Sequence, residues 1–118
     1  MDIVFIRELK IDTVIGIFDW EREIKQTVAI DLDMAHDFSR AADTDSIDYA
    51  LSYKDVSDRL VAFIEASEFF LIETMAEQIA EIIMTEFSVP WLRLQLSKPG
   101  AVPAASNVGV VIERGEKR

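Results

Sequence analysis

Apolar residues in this chain repeat with period two near both ends and with a helical period in the middle. The four alternating segments are 3–15, 28–34, 91–98 and 107–114. Between them, the stretch from Ser52 to Ile64 and the stretch 71–87 carry apolar residues three and four positions apart. Alternation predicts strands with one buried face, and the wider spacing predicts amphipathic helices. The order ββααββ therefore predicts an α+β fold, in which a four-stranded antiparallel sheet carries two helices on one face.

The first strand is apolar on both of its faces. The expected faces are Ile3, Phe5, Leu9, Ile11 and Ile15 on one side, and Val4, Ile6 and Val14 on the other. A second apolar face indicates that another layer or another subunit covers it. The outer strands of an open sheet also leave backbone groups unpaired, and a closed ring of subunits would pair them. We therefore expect the chain to form an oligomer.

Length and charge narrow the class of protein. The 118 residues suit one domain, residues 1–118, and the net charge of −10 argues against a nucleic-acid partner. No apolar run reaches the about 20 residues that span a bilayer. The acidic start at Asp2 does not resemble a signal peptide. We expect a soluble, cytoplasmic protein with no membrane partner.

The residue types that hold cofactors are nearly missing. The chain has no cysteine, which excludes disulfides and cysteine-based zinc sites, and its single histidine is His36. The four glycines are isolated, so no phosphate-binding glycine loop of the ATP or dinucleotide type is present. We therefore do not expect ATP- or NAD-dependent chemistry, nor a metal site built from cysteines or several histidines.

Four polar residues lie where predicted elements begin or end, and each has a structural alternative. Lys98 shares parity with the inward leucines of its strand, so it either reaches out to water or is held at low dielectric. Glu73, in the first turn of the second helix, either stabilises the helix dipole or accepts hydrogen bonds from a planar donor pair. Tyr53 starts the first helix and is typical of an interface, and Glu21 is typical of a solvated loop.

Five segments resemble the dihydroneopterin aldolase family. They are Gly16-Ile17-Phe18-Asp19-Trp20-Glu21, Leu51-Ser52-Tyr53, Leu71-Ile72-Glu73, Leu96-Ser97-Lys98-Pro99-Gly100-Ala101 and Asn107-Val108-Gly109-Val110. The match extends over nearly the whole chain in the same order. It implies a T-fold, whose subunits form ring tetramers around a β-barrel and in many members stack as a homo-octamer.

The resemblance also implies a substrate and a site. The substrate is 7,8-dihydroneopterin, cleaved by a retro-aldol reaction without a cofactor, and some epimerase activity is expected. Glu73 and the backbone of Ile72 would bind the pterin, and Lys98 would act as acid and base with Glu21 in contact. Tyr53 and Leu51 would come from the adjacent subunit, and Tyr53 would form hydrogen bonds with the substrate hydroxyls and relay a proton.

Two other functions stay open at this stage. A dihydroneopterin triphosphate 2'-epimerase would share the fold and similar residues, although a triphosphate favours basic residues that this acidic chain has in small number. A non-catalytic pterin-binding protein is the other alternative. It is disfavoured because such a protein would not need all four polar residues. The zinc-dependent cyclohydrolases of the same fold are excluded by the absence of cysteine.

Overall fold

The computed structural model of the chain describes residues 1–117. Within them lie four strands and three α-helices: β1 (Asp2–Thr13), β2 (Gln26–His36), α1 (Ser39–Thr44), α2 (Tyr53–Glu65), α3 (Ile72–Glu86), β3 (Trp91–Ser97) and β4 (Gly109–Gly115). The strands form one antiparallel sheet in the order β1-β2-β3-β4. The predicted α+β arrangement is confirmed. The short helix α1 falls in the connection where the sequence predicts only a helical turn.

The core lies between the sheet and helices α2 and α3. Leu32 of β2 pairs with Leu94 of β3, and both are fully buried on the side that faces the helices. Helix α2 contributes Leu60 and α3 contributes Ile79 to the same cluster. Helix α2 starts where the sequence predicts, because the hydroxyl of Ser52 accepts a hydrogen bond from the first turn. The apolar stripes of two helices thus cover one face of the sheet.

The predicted faces of β1 are wrong for its first half. Ile6 pairs with Leu32 but Leu9 pairs with Ile30, so β1 carries one extra residue between these positions. Glu8 adopts a left-handed conformation there, with φ of 52°. Such a bulge moves all preceding side chains to the opposite face.

The bulge therefore exchanges the two faces of β1 before residue 7. Val4 and Ile6, not Ile3 and Phe5, pack against the core with Leu9 and Ile11. Ile3 and Phe5 lie on the other face and are 39% and 60% exposed. The alternation of apolar and polar residues cannot reveal a bulge, because a bulge is a change in the hydrogen-bonded pairing between two strands.

One end of the sheet is tied to the helices by a buried threonine. The hydroxyl of Thr13, at the end of β1, donates a 2.7 Å hydrogen bond to the carbonyl of Ile64 in the last turn of α2. Helix α2 has 13 residues and is about 20 Å long. Its first residue, Tyr53, therefore lies far from the end of β1. In residues 1–117 no helix is long and apolar enough to cross a membrane.

The assignment of the core predicts how substitutions at buried and exposed positions change the free energy of unfolding. Replacing the fully buried Ile30 by alanine should lower the free energy of unfolding by about 2–5 kcal/mol, because the cavity is not refilled. The same substitution at Ile47, which is 70% exposed, should change it by less than about 0.5 kcal/mol. Urea denaturation at one protein concentration measures both. Equal losses in the two variants would contradict the assigned core.

Candidate active site

A cleft of about 300 Å³ opens at the end of the sheet where β1 ends and β2 begins. It is formed by the loop after β1, the first residue of β2, the connection between α2 and α3 with the first turn of α3, and the turn after β3. Its apolar lining is Ile15, Ile17, Phe18, Trp20, Phe70 and Leu71. The polar side chains that line it include Glu21, Gln26, Glu73 and Lys98. Three of the four polar candidates from the sequence therefore meet in one cleft.

A buried ion pair forms the floor of the cleft. The ammonium of Lys98 lies 2.9 Å from Oε2 of Glu21, and the two side chains are only 15% and 6% exposed. Lys98 follows β3 directly, and its amide donates to the carbonyl of Val108, so its backbone is held by the sheet. The sequence gives Glu21 the character of a solvated loop residue, but the structure buries it.

Three donors surround the carboxylate of Glu21. Besides Lys98, the amide of Gln26 donates to Oε2 at 3.0 Å and the backbone N–H of Phe18 donates to Oε1 at 3.2 Å. Burial by itself raises the pKa of Glu21, but the hydrogen bonds from Gln26, Lys98 and Phe18 outweigh it and lower the pKa to about 2. The carboxylate is therefore ionised at neutral pH.

Gly16 leaves room for this carboxylate. Its φ of 127° is a conformation that side chains disfavour, and a Cβ there would collide with the carboxyl group of Glu21. A glycine at this position lets the acidic side chain fold back over its own loop. A steric requirement therefore explains the glycine at position 16, the first residue of the segment Gly16-Ile17-Phe18-Asp19-Trp20-Glu21.

Arg22 fixes the loop to the helix connection. Its guanidinium donates to the carbonyls of Gly16 and Phe69, each at 3.0 Å, and to the carbonyl of Glu68. It also lies 4.1 Å from the ring centre of Phe70. Sequence reasoning missed this role, because the partners lie 46 and 47 residues away along the chain.

Glu73 and Ile72 also line the cleft. Both lie in the first turn of α3, where the preceding residue, Leu71, provides no side-chain cap. Glu73 is exposed to solvent. The carboxylate of Glu73 and the ammonium of Lys98 give the cleft an acceptor and a donor for a flat polar molecule.

Tyr53 and Leu51 do not line this cleft. Tyr53 is 64% exposed at the far end of α2, and Leu51 is buried in the core. Trp20 is 59% exposed and stacks on Phe18 at the cleft rim. In the described residues, 1–117, no group of three or more histidine, cysteine, aspartate or glutamate side chains is arranged to hold a metal ion.

Comparison with known proteins identifies relatives along the whole chain. Residues 4–113 match the model of the family described as FolB, dihydroneopterin aldolase. The curated dihydroneopterin aldolase of Escherichia coli is 48% identical over 98% of this chain and 94% of the relative. A relative named dihydroneopterin triphosphate 2'-epimerase, from Pseudomonas aeruginosa, is 27% identical over 91% of this chain and 87% of the relative.

Solved structures agree with the fold. A putative dihydroneopterin aldolase from Vibrio cholerae superposes with a TM-score of 0.96 and 52% identity, covering 98% of both chains. The Escherichia coli dihydroneopterin aldolase in complex with neopterin also superposes with a TM-score of 0.96. It is 48% identical, and the match covers 98% of this chain and 100% of the other. The subunit therefore has the T-fold expected from the sequence.

The pKa of Glu21 predicts how stability changes with pH. This pKa is lowered from 4.5 to about 2 in the folded chain. Between these pH values the unfolded chain therefore binds more protons than the folded chain, and the stability that Glu21 contributes is lost as the pH falls. The contribution is fully present above about pH 4.5 and disappears toward about pH 2.

The measurement compares the wild type with Glu21→Gln. Urea unfolding of both at one protein concentration should show a gap in unfolding free energy at neutral pH that narrows on acidification below pH 4.5. A gap that stays constant down to the acid limit would contradict the ionised, hydrogen-bonded carboxylate.

Proposed function

The chain belongs to the dihydroneopterin aldolase family of carbon–carbon lyases, and from that premise we propose how its own residues cleave 7,8-dihydroneopterin. The products are 6-hydroxymethyl-7,8-dihydropterin and glycolaldehyde, in the biosynthesis of tetrahydrofolate. The observation that supports this site most directly is the buried Lys98–Glu21 ion pair on the floor of a cleft that Glu73 also lines.

The reaction itself explains why a few acid and base groups suffice. A base removes the proton of the second side-chain hydroxyl, the carbon–carbon bond breaks, and its electron pair moves into the adjacent C=N bond of the reduced pterin. The ring nitrogen takes up a proton at this step. When the new carbon centre is later protonated to give the hydroxymethyl group, the ring nitrogen releases its proton and the C=N bond forms again. The imine of the substrate is thus the electron sink, a part that a lysine Schiff base or a metal plays in other aldolases.

Lys98 acts as the general acid and base in this proposal. Its ammonium has three N–H donors, of which Glu21 uses one, so two remain for the ring nitrogen or a bound water. Glu21 fixes the direction of the ammonium and can contact the leaving hydroxyls. A base or acid held in place lowers the entropy cost of proton transfer.

Glu73 binds the flat end of the substrate. A carboxylate with two oxygens matches the adjacent N–H groups of an amino-pyrimidinone ring, and the backbone of Ile72 adds a further contact. The apolar lining by Phe70 and Leu71 suits the faces of the ring. The relative from Escherichia coli has been solved in complex with neopterin, which is consistent with a pterin in this cleft.

Tyr53 and Leu51 enter the site from an adjacent subunit. The approximately 20 Å length of α2 separates Tyr53 from the cleft of its own chain, whereas a neighbouring copy can place it there. Strands β1 and β4 are the two sheet edges, and pairing them between subunits closes a ring. We propose ring tetramers that stack as a homo-octamer.

The triphosphate epimerase has less support. Its named relative shares 27% of residues, against 48% for the aldolase of Escherichia coli. Epimerisation by cleavage and re-addition would use the same groups, so we include a side activity toward dihydromonapterin. The cytoplasmic location expected from the sequence is also part of the proposal and rests on the absence of cysteine.

Turnover of 7,8-dihydroneopterin in EDTA tests the proposed function. Purified protein should release glycolaldehyde, and Lys98→Ala should lower kcat by about 10²-fold or more while it still binds the pterin. Glu73→Ala should instead abolish pterin binding, as measured by fluorescence titration. Absence of turnover in the wild type would overturn the aldolase assignment, and loss of turnover in EDTA alone would overturn the metal-free mechanism.

Mixed oligomers test whether the site is shared. Lys98→Ala and Tyr53→Phe should each be nearly inactive, but co-refolding equal amounts should restore about a quarter of the sites, those that take Lys98 and Tyr53 from different chains. Each variant refolded alone is the control. No recovery on mixing would contradict a site between subunits.

A further inference from the structure

Gln26 is the remaining polar side chain on the floor of the cleft, and the reaction proposed above gives it no part. Its Nε2 atom donates to Oε2 of Glu21 at 3.0 Å and to the carbonyl of Ile15 at 2.8 Å. Both acceptors lack a hydrogen to donate, so only the NH₂ end of the amide can face them. The two bonds together fix the amide in one orientation.

The position of Gln26 is set by the sheet. It is the first residue of β2, and its backbone lies opposite Thr13 of β1 in the antiparallel register. Glu21, in contrast, lies on a 3-10 helix within the connecting loop, Asp19–Glu23. A bond from Gln26 therefore transfers the rigidity of the sheet to a carboxylate carried by a loop.

A neutral donor suits this place better than a charged one. Lys98 and Glu21 carry one charge each, and a second cation beside Oε2 would compete with Lys98 for the carboxylate. Arg22, another cation of the loop, donates hydrogen bonds to the carbonyl groups of Gly16, Glu68 and Phe69 instead. Gln26 holds the carboxylate in place without cancelling its charge.

We propose that Gln26 is the positioning residue of the acid/base pair: it fixes Glu21, and through Glu21 it directs the ammonium of Lys98 at the substrate. It does not itself contact the reacting atoms. The inference rests on the proposed function for its effect on turnover, and on the hydrogen bonds of the cleft for its effect on Glu21.

The first test removes the donor with Gln26→Leu. We expect kcat to fall by about 10- to 100-fold while KM changes little. Losses of this size are typical when a residue that orients a functional side chain through a hydrogen bond is removed. In ¹³C NMR, the carboxyl group of Glu21 should titrate at a higher pH than in the wild type, since the pKa that these hydrogen bonds lower to about 2 loses one of them. The acid limb of the pH profile of kcat/KM should move upward with it.

The second test, Gln26→Glu, keeps the shape and covers the case in which the leucine variant does not fold. It places a second carboxyl group beside Glu21, so the titration of Glu21 should move up and kcat should fall. Gln95→Glu is the matched control: Gln95 also donates its amide to a carboxylate, Asp31, but outside the cleft. It should leave kcat and the Glu21 titration unchanged.

The outcomes separate the two proposals. Wild-type kcat and an unchanged Glu21 titration in a folded Gln26 variant would overturn the positioning role. An equal loss of activity in Gln95→Glu would overturn it too, because the effect would then be general destabilisation. The NMR titration needs no turnover, so it decides the link between Gln26 and Glu21 even if the wild type proves inactive toward 7,8-dihydroneopterin.

Discussion

The carboxylate of Glu21 is the group on which the geometry of the cleft depends. A charge removed from water is costly unless hydrogen bonds replace its solvation, and here Lys98, Gln26 and the amide of Phe18 do so. Gly16 has no side chain where the carboxylate lies. The loop, the start of β2 and the end of β3 are thus held together by one charge.

The subunit brings Glu21, Glu73 and Lys98 together in one cleft but not the whole set of candidate residues. The two sheet edges, the apolar residues Ile3 and Phe5 on the uncovered face, and the remote Tyr53 all indicate surfaces that a second copy would complete. In the proposed ring, folding of one chain and assembly of several are therefore both needed for catalysis.

The helices and the inner strands followed from local pattern. Helix α2 begins at Tyr53 as expected, and the leucines of β3 face the core with the predicted parity. The same reasoning failed in the first half of β1 because of the bulge at Glu8. One extra residue in the strand moves the preceding side chains to the other face of the sheet, and the alternation of apolar residues does not reveal it. The local pattern around Glu21 indicated a solvated loop, whereas the resemblance implied a contact with Lys98, 77 residues away, and the structure contains that contact.

The sequence alone determined the order of the elements, the α+β class and, through its motifs, the family with its candidates Glu21, Glu73 and Lys98. These follow from local periodicity and from residue types at fixed spacing, which the chain carries in every conformation. The resemblance already implied that Glu21 contacts Lys98 and that Tyr53 comes from another subunit. Only the tertiary structure decided that Glu21 is buried and that Gln26 and Arg22 hold this loop. Those facts depend on contacts between distant segments, and such contacts exist only once the sheet and the helices have packed together.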